Sequence, residues 1–200
     1  MSEKTVNVAN HKCRAIVNQG SGVPIVFFHG LSYTSEVWRR LSITGLLMEK
    51  KLPFLALDMP YGVKSECQPK THDINVNVAF ANAAVKNFLG DAVPVLVGAS
   101  VGAHVALNYA ARFPVKSLLL VAPVRALEPH LVQAYRNFTF PVRIIVGSED
   151  RVVGHEELRE LAAKLPNAKL VEYEGAKHSA YVDFPGRFKR DLMEVYAAIE

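Results

Sequence analysis

The pentapeptide Gly98-Ala99-Ser100-Val101-Gly102 sets a hydroxyl between small residues, where the apolar run "VLVGA" gives way to an amphipathic one. A serine lifted on a sharp strand-to-helix turn needs small neighbours, because bulky groups would clash with the adjacent strand and helix. Beside a helix N-terminus, the amide of Val101 could donate to a developing oxyanion. Serine at its ordinary pKa is a poor nucleophile; it needs a base, and the base needs an orienting acid. His178 in "GAKHSAYVDFP" and Asp150 at the end of "VRIIVGSED" supply these two types, and the chain order is Ser, Asp, His. That is the order expected when a G-x-S-x-G turn carries the nucleophile. The pentapeptide alone is a weak signal, since glycine and serine are common residues. Three separate strand ends supplying the three types make a specific one.

His29-Gly30-Leu31 ends the apolar run "PIVFFHG" and is expected to complete an oxyanion hole through the amide of Leu31. Gly30 would let that backbone approach a substrate. An ordinary strand-ending turn is the alternative. Tyr33, Met59 and Tyr61 fall on the same rim and are expected to line an acyl or alcohol pocket. Glu149 is an adjacent rival to Asp150, but the shorter aspartate better suits a fixed bond to imidazole Nδ1. Of the seven histidines, His104 reads as a packed or pocket-wall residue, His155 as a solvent-facing helix start, and His29 as a structural hydrogen-bonder. Asp58 reads as the organiser of its own turn, and Trp38 as core.

Positioning these groups requires buried strands that end on one edge. "PIVFFHG", "FLALDMP", "PVLVGAS", "KSLLLVAPV", "PVRIIVGSED" and "AKLVEYEG" are mostly short, continuously apolar and β-rich, as strands covered on both faces must be. "TVNVAN" and "CRAIVNQG" alternate and predict an N-terminal antiparallel hairpin with Asn10 and His11 between them. Helical patterns fill the gaps: "TSEVWRRLSITGLLMEK", capped by Thr34 and Ser35, "INVNVAFANAAVKNFLG", stopped by Gly90, "VGAHVALNYAARF", "HEELRELAAKL" and "GRFKRDLMEVYAAIE". Alternating strands and helices predict an α/β domain, residues 1–200, with a mostly parallel sheet of about eight strands and helices on both faces. In such sheets functional groups gather beyond the carboxyl ends of the strands.

Half of the residues are hydrophobic, 21% are charged and the net charge is +4, with lysine and arginine scattered. This composition describes a globular chain and gives no indication of nucleic-acid binding. Cys13 and Cys67 lack metal-type spacing; a disulfide is possible, and two free thiols is the plainer expectation. The polar N-terminus has no signal-peptide core, and no apolar stretch approaches membrane-helix length, so a cytoplasmic protein without a membrane partner is expected. No phosphate-cradling loop or metal-ligand cluster implies a cofactor. Oligomeric state is not legible.

These residues resemble the α/β-hydrolase superfamily over essentially the whole chain. "FFHGLSYTSEVW", "ALDMPYG", "VGASVGA", "VGSEDRVV" and "GAKHSAYVDFP" correspond in order to its recurrent landmarks. "HGLSYTSEVW", "VAPV" and the short length are similar to the small capless abhydrolase-fourteen branch. The chain departs from the pattern at Ala103, where a second glycine is frequent, and in the turn after Asp58, where Tyr61 and Lys64 stand in a usually glycine-rich run. Where relatives insert a helical cap, this chain has only residues 125–140, room for one short helix. The resemblance implies an open site and a serine hydrolase of carboxylic esters, with Ser100 as nucleophile, His178 as base, Asp150 as its partner, and Leu31 and Val101 as oxyanion donors. An acyltransferase or thioesterase using the same triad is the alternative, a peptidase a weaker one, and a non-catalytic binding module a further one.

Overall fold

A computed structural model describes residues 1–199. Its centre is one eight-stranded sheet in the order β1-β2-β4-β3-β5-β6-β7-β8, formed by β1 (Ser2–Val8), β2 (His11–Asn18), β3 (Ile25–Phe28), β4 (Phe54–Leu57), β5 (Val95–Ala99), β6 (Ser117–Val121), β7 (Val142–Gly147) and β8 (Ala168–Tyr173). The six strands from β3 onward run parallel, and the β1–β2 hairpin joins β4 antiparallel. This is the mostly parallel α/β architecture that the alternation of elements predicts, and the α/β-hydrolase fold that the resemblance implies. The hairpin turn falls one residue earlier than expected: Ala9 and Asn10 take positive φ (48° and 62°), and buried His11 opens β2 opposite Val8. Two successive positive φ values are what a tight two-residue hairpin turn requires.

Continuously apolar strands are explained by cover on both faces. Val26, Phe28, Leu96, Leu118, Leu120 and Ile144 point into one core with α3 (Ile74–Leu89), α4 (Val101–Ala110), α5 (Pro129–Tyr135) and α6 (His155–Lys164). Ile25, Phe27, Val95, Val97, Leu119 and Ile145 point into the other with α1 (Glu36–Arg40), α2 (Ile43–Glu49), α7 (Ala180–Asp183) and α8 (Pro185–Ala197). Trp38 lies in the second core, fully buried and stacked on Tyr181. Asp73 caps α3 by accepting from the amides of Asn75 and Val76, and Gly90 stops it at positive φ. Such a cap contributes about 1 kcal/mol.

Three expectations are corrected. The helix predicted across "TSEVWRRLSITGLLMEK" is two, α1 and α2, broken at Ser42 in a left-handed conformation (φ 55°). An unbroken helix would place Trp38 and Ile43 about 140° apart, whereas the break lets both enter one core. The cysteines are bonded to each other. Their separation of 54 residues hides the pairing in the sequence; the fold makes it by setting β2 beside the loop after β4, where Lys12 and Gln68 form a bridge. Asp58 does not organise its own turn. It accepts from the amide (2.8 Å) and hydroxyl (2.6 Å) of Ser35, joining the loop after β3 to the end of β4. The predicted last helix ends at Ala197, and Glu200 lies outside the described residues. Among the described residues no helix is long and apolar enough to cross a membrane.

Candidate active site

The chain leaves β3 for β4 on one side of the sheet and returns to β5 on the other, so the strand order reverses between β3 and β5. The loops diverging there leave a crevice at the carboxyl edge, and Gly30 and Ser100 face each other across it. A Cβ on Gly30 would stand 3.9 Å from that of Ser100.

Ser100 holds φ 55°, ψ −114°, a conformation costly for any residue bearing a Cβ. Its backbone is held there on both sides: the amide donates to Val121 C=O (2.8 Å), and the carbonyl accepts from Ala103 and His104 (3.0 and 3.1 Å). The small residues of the pentapeptide have a measurable reason. A Cβ on Gly98 would come within 2.6 Å of Ala103 Cα, and one on Gly102 would collide with Phe28 O and approach His29 O to 2.6 Å. These obstacles are backbone, so they cannot step aside. Gly102→Ala is expected to lower unfolding free energy by roughly 3 kcal/mol or more. Denaturant titration checks this, and a variant within 1 kcal/mol of wild type would contradict it.

Asp150 and His178 arrive from the ends of β7 and β8. His178 Nε2 lies 2.9 Å from Ser100 Oγ, and Nδ1 lies 2.9 Å from Asp150 Oδ2. The Asp150 side chain is fully buried, and its Oδ1 accepts from the amides of Val152 (2.8 Å) and Val153 (3.3 Å). A carboxylate so held is an acceptor only, so the imidazole proton sits on Nδ1 and Nε2 is left to accept from the serine. Rival Glu149 is exposed and bonds to neither residue.

The amides of Leu31 and Val101 donate to no partner among the described residues, which leaves both available at the crevice. The Leu31 side chain is exposed. With Ser100 and His178 these residues line a cleft of about 510 Å³ whose walls include Tyr33, Val124, Val152 and Tyr181. Tyr33 is therefore where it was expected, its hydroxyl 3.3 Å from Ser179 Oγ. Met59 and Tyr61 are not. Both are buried behind the loop after β3, and Tyr61 donates its hydroxyl to His29 C=O. The turn after Asp58 folds inward because its polar groups find partners there, so its aromatic ring braces the rim instead of lining it. Val152 and Ser179 were missed, although they stand two residues after Asp150 and one after His178; Val124 and Tyr181 reach the cleft only by folding.

His29, His104 and His155 have structural partners. His155 opens α6 and pairs with Glu172 (3.2 Å), so it is less solvent-facing than expected. His104 is buried and bonds Glu128 (2.9 Å), fastening the 125–140 segment against α4. That segment holds one seven-residue helix, α5, whose Leu131 and Tyr135 are core residues; no cap is evident. Burial lowers the pKa of both His29 and His104, in His104 against the opposing pull of Glu128. The unfolded chain therefore binds more protons below the ordinary histidine value of about 6.5, so stability is fully present above that pH and is lost as pH falls. Scanning calorimetry is expected to show a Tm falling from about pH 7.5 to 5.5, less steeply in His104→Gln. Equal slopes would contradict this.

A model described as "Alpha/beta hydrolase family" matches residues 25–140. The chain belongs to the alpha/beta hydrolase family. The match includes Leu31, Ser100 and Val101 but stops before Asp150 and His178, whose placement rests on geometry. Among relatives of this alpha/beta hydrolase, "Protein ABHD14A" of Danio rerio is 30% identical over 184 residues, 88% of this chain. This chain spans 65% of that protein's length. The "Putative protein-lysine deacylase ABHD14B" of Rattus norvegicus is 25% identical, with 97% of this chain and 95% of that protein covered. These relatives agree with the abhydrolase-fourteen resemblance. A structure described as a "predicted CIB-like hydrolase from Thermoplasma acidophilum" superposes with a TM-score of 0.84, 22% identity and 96% of each chain covered. At that identity the likeness speaks to the fold.

Proposed function

We propose that this alpha/beta hydrolase is a serine hydrolase that cleaves carboxylic esters through an acyl-enzyme. The observation that carries this reading is the single imidazole bridging Ser100 and Asp150 at 2.9 Å on each side. Ser100 Oγ attacks the acyl carbon as its proton passes to His178 Nε2, and Asp150 stabilises the imidazolium. The amides of Leu31 and Val101 stabilise the oxyanion. His178 then protonates the departing alcohol, and a water it activates releases the acid.

The uncapped cleft suits small acyl groups, or larger molecules presenting an exposed acyl end. That shape, with the rat relative's name, favours acyl-lysine as a second substrate class; a thiol or amine acceptor in place of water would make the same machinery a transferase. The test is a panel of aryl esters, thioesters and acyl-lysine peptides of varied acyl length, with fluorophosphonate labelling in parallel. Stoichiometric labelling of Ser100 with fast ester turnover supports the proposal. Labelling without turnover of any substrate would replace it with the binding-module reading. We infer a cytoplasmic location and small-molecule acyl substrates, with neither nucleic acid nor membrane as partner. In a reducing compartment the Cys13–Cys67 bond would depend on its burial (3% and 0% exposed) for survival.

A further inference from the structure

The oxyanion loop is not held by its own strand. Each carbonyl of His29, Gly30 and Leu31 is engaged, those of His29 and Leu31 by the loop after β4. His29 C=O accepts from the Tyr61 hydroxyl, and Leu31 C=O accepts from Val63 N–H (3.0 Å). Gly30 C=O accepts from Tyr33 N–H (3.0 Å) and lies 2.8 Å from His29 Nδ1. The tautomer of His29 follows. Its Nε2 accepts from Met59 N–H (3.0 Å), so the ring proton is on Nδ1 and donates to Gly30 C=O. A trans peptide is planar, with C=O and N–H pointing opposite ways. Two bonds to Gly30 C=O therefore fix the Leu31 N–H pointing away from them, and Leu31 lines the cleft with Ser100.

The bracing loop is itself tied down. Gly62 packs against the His29 ring, where a Cβ would meet Cε1 at 2.6 Å. Tyr61 N–H donates to Asn77 Oδ1 (3.2 Å), and Ser65 Oγ donates to Met59 C=O (2.8 Å). The far end is covalent: Cys67 is bonded to Cys13 on β2, and Lys12 and Gln68 exchange backbone bonds of 2.8 and 3.0 Å beside it. Both sulfur-bearing residues are buried, which suits a permanent tether rather than a reversible switch.

We propose that residues 59–67 are the positioning element of the oxyanion hole, acting through the Tyr61 hydroxyl and the Nδ1–H form of His29 and tethered by the Cys13–Cys67 disulfide. This rests on the serine-hydrolase reading above. Tyr61 and His29 touch no substrate; they are positioning residues, and misaiming Leu31 N–H should weaken transition-state binding alone.

The test uses Tyr61→Phe and, separately, the double variant Cys13→Ala/Cys67→Ala, with 4-nitrophenyl acetate as substrate and an aliphatic trifluoromethyl ketone as transition-state mimic. In Tyr61→Phe, kcat should fall about tenfold and the ketone's Ki should rise by the same factor. KM should stay within about twofold and the pH midpoint of kcat/KM should not move, because Ser100, His178 and Asp150 are untouched. The double variant should show the same pattern. If it fails to fold, the near-isosteric Tyr61→Phe decides alone. A folded Tyr61→Phe with wild-type kcat and Ki overturns the proposal, as does a loss that moves KM or the pH midpoint with it. Ester turnover that survives Ser100→Ala would instead overturn the serine-hydrolase reading beneath it.

Discussion

Ser100→Ala is expected to lower kcat/KM for a short-chain aryl ester by about 10⁴- to 10⁶-fold, with the fold intact. The size follows from what the hydroxyl does. In the proposed reaction it is the atom that forms the acyl bond, and His178 Nε2 is hydrogen-bonded to Ser100 rather than to the other cleft serines, Ser32 and Ser179. The structure explains why stability should survive. Among the described residues, the only side-chain hydrogen bond Ser100 makes is to His178, and the strained φ of 55° is as costly for serine as for alanine, since both carry a Cβ. Ester hydrolysis and a thermal midpoint, measured together, check the prediction. Wild-type turnover in a folded variant would reject the assignment.

Asp150→Asn should cost about 10⁴-fold in kcat while changing stability by only about 1 kcal/mol. The two carboxylate oxygens have different partners. Oδ1 accepts two backbone N–H groups, from Val152 and Val153, and Oδ2 faces His178 Nδ1. An asparagine NH₂ cannot occupy the Oδ1 position, because two donors already point there. Its carbonyl takes that place, preserving the turn into α6, and the NH₂ is driven toward His178. Nδ1 must then accept, its proton moves to Nε2, and Nε2 meets Ser100 as a donor when catalysis needs an acceptor. The same placement makes Asp150→Glu informative, because the longer arm keeps charge but not the two-sided fit. It should retain more activity than asparagine. Equal kcat for Asp150→Asn and wild type would assign the orienting role elsewhere, with exposed Glu149 the first residue to test.

The legible parts of the fold were those fixed by short-range chemistry. Continuous apolar runs such as "PVLVGAS" read as strands covered on both faces, and Val95, Val97, Leu96 and their neighbours do divide between two cores. Gly90 was legible as the stop of α3 because a positive-φ helix end is a local requirement. The break at Ser42 was not legible, because only the position of the second core makes an unbroken helix unfavourable. Met59 and Tyr61 were misjudged for the same reason. A strand-end address gives the rim, not the direction in which a side chain leaves it.

For the site, residue types and their order along the chain brought out Ser100, Asp150 and His178 as candidates, because each follows the end of a strand. Tertiary structure alone decided that the imidazole spans 2.9 Å to each partner, that Cys13 meets Cys67 across 54 residues, and that the loop after β4 holds the carbonyls of His29 and Leu31. Sequence determines which groups are present and where the chain must turn. Distances between groups from different strands are set by how the sheet orders and twists those strands, and no local pattern encodes that.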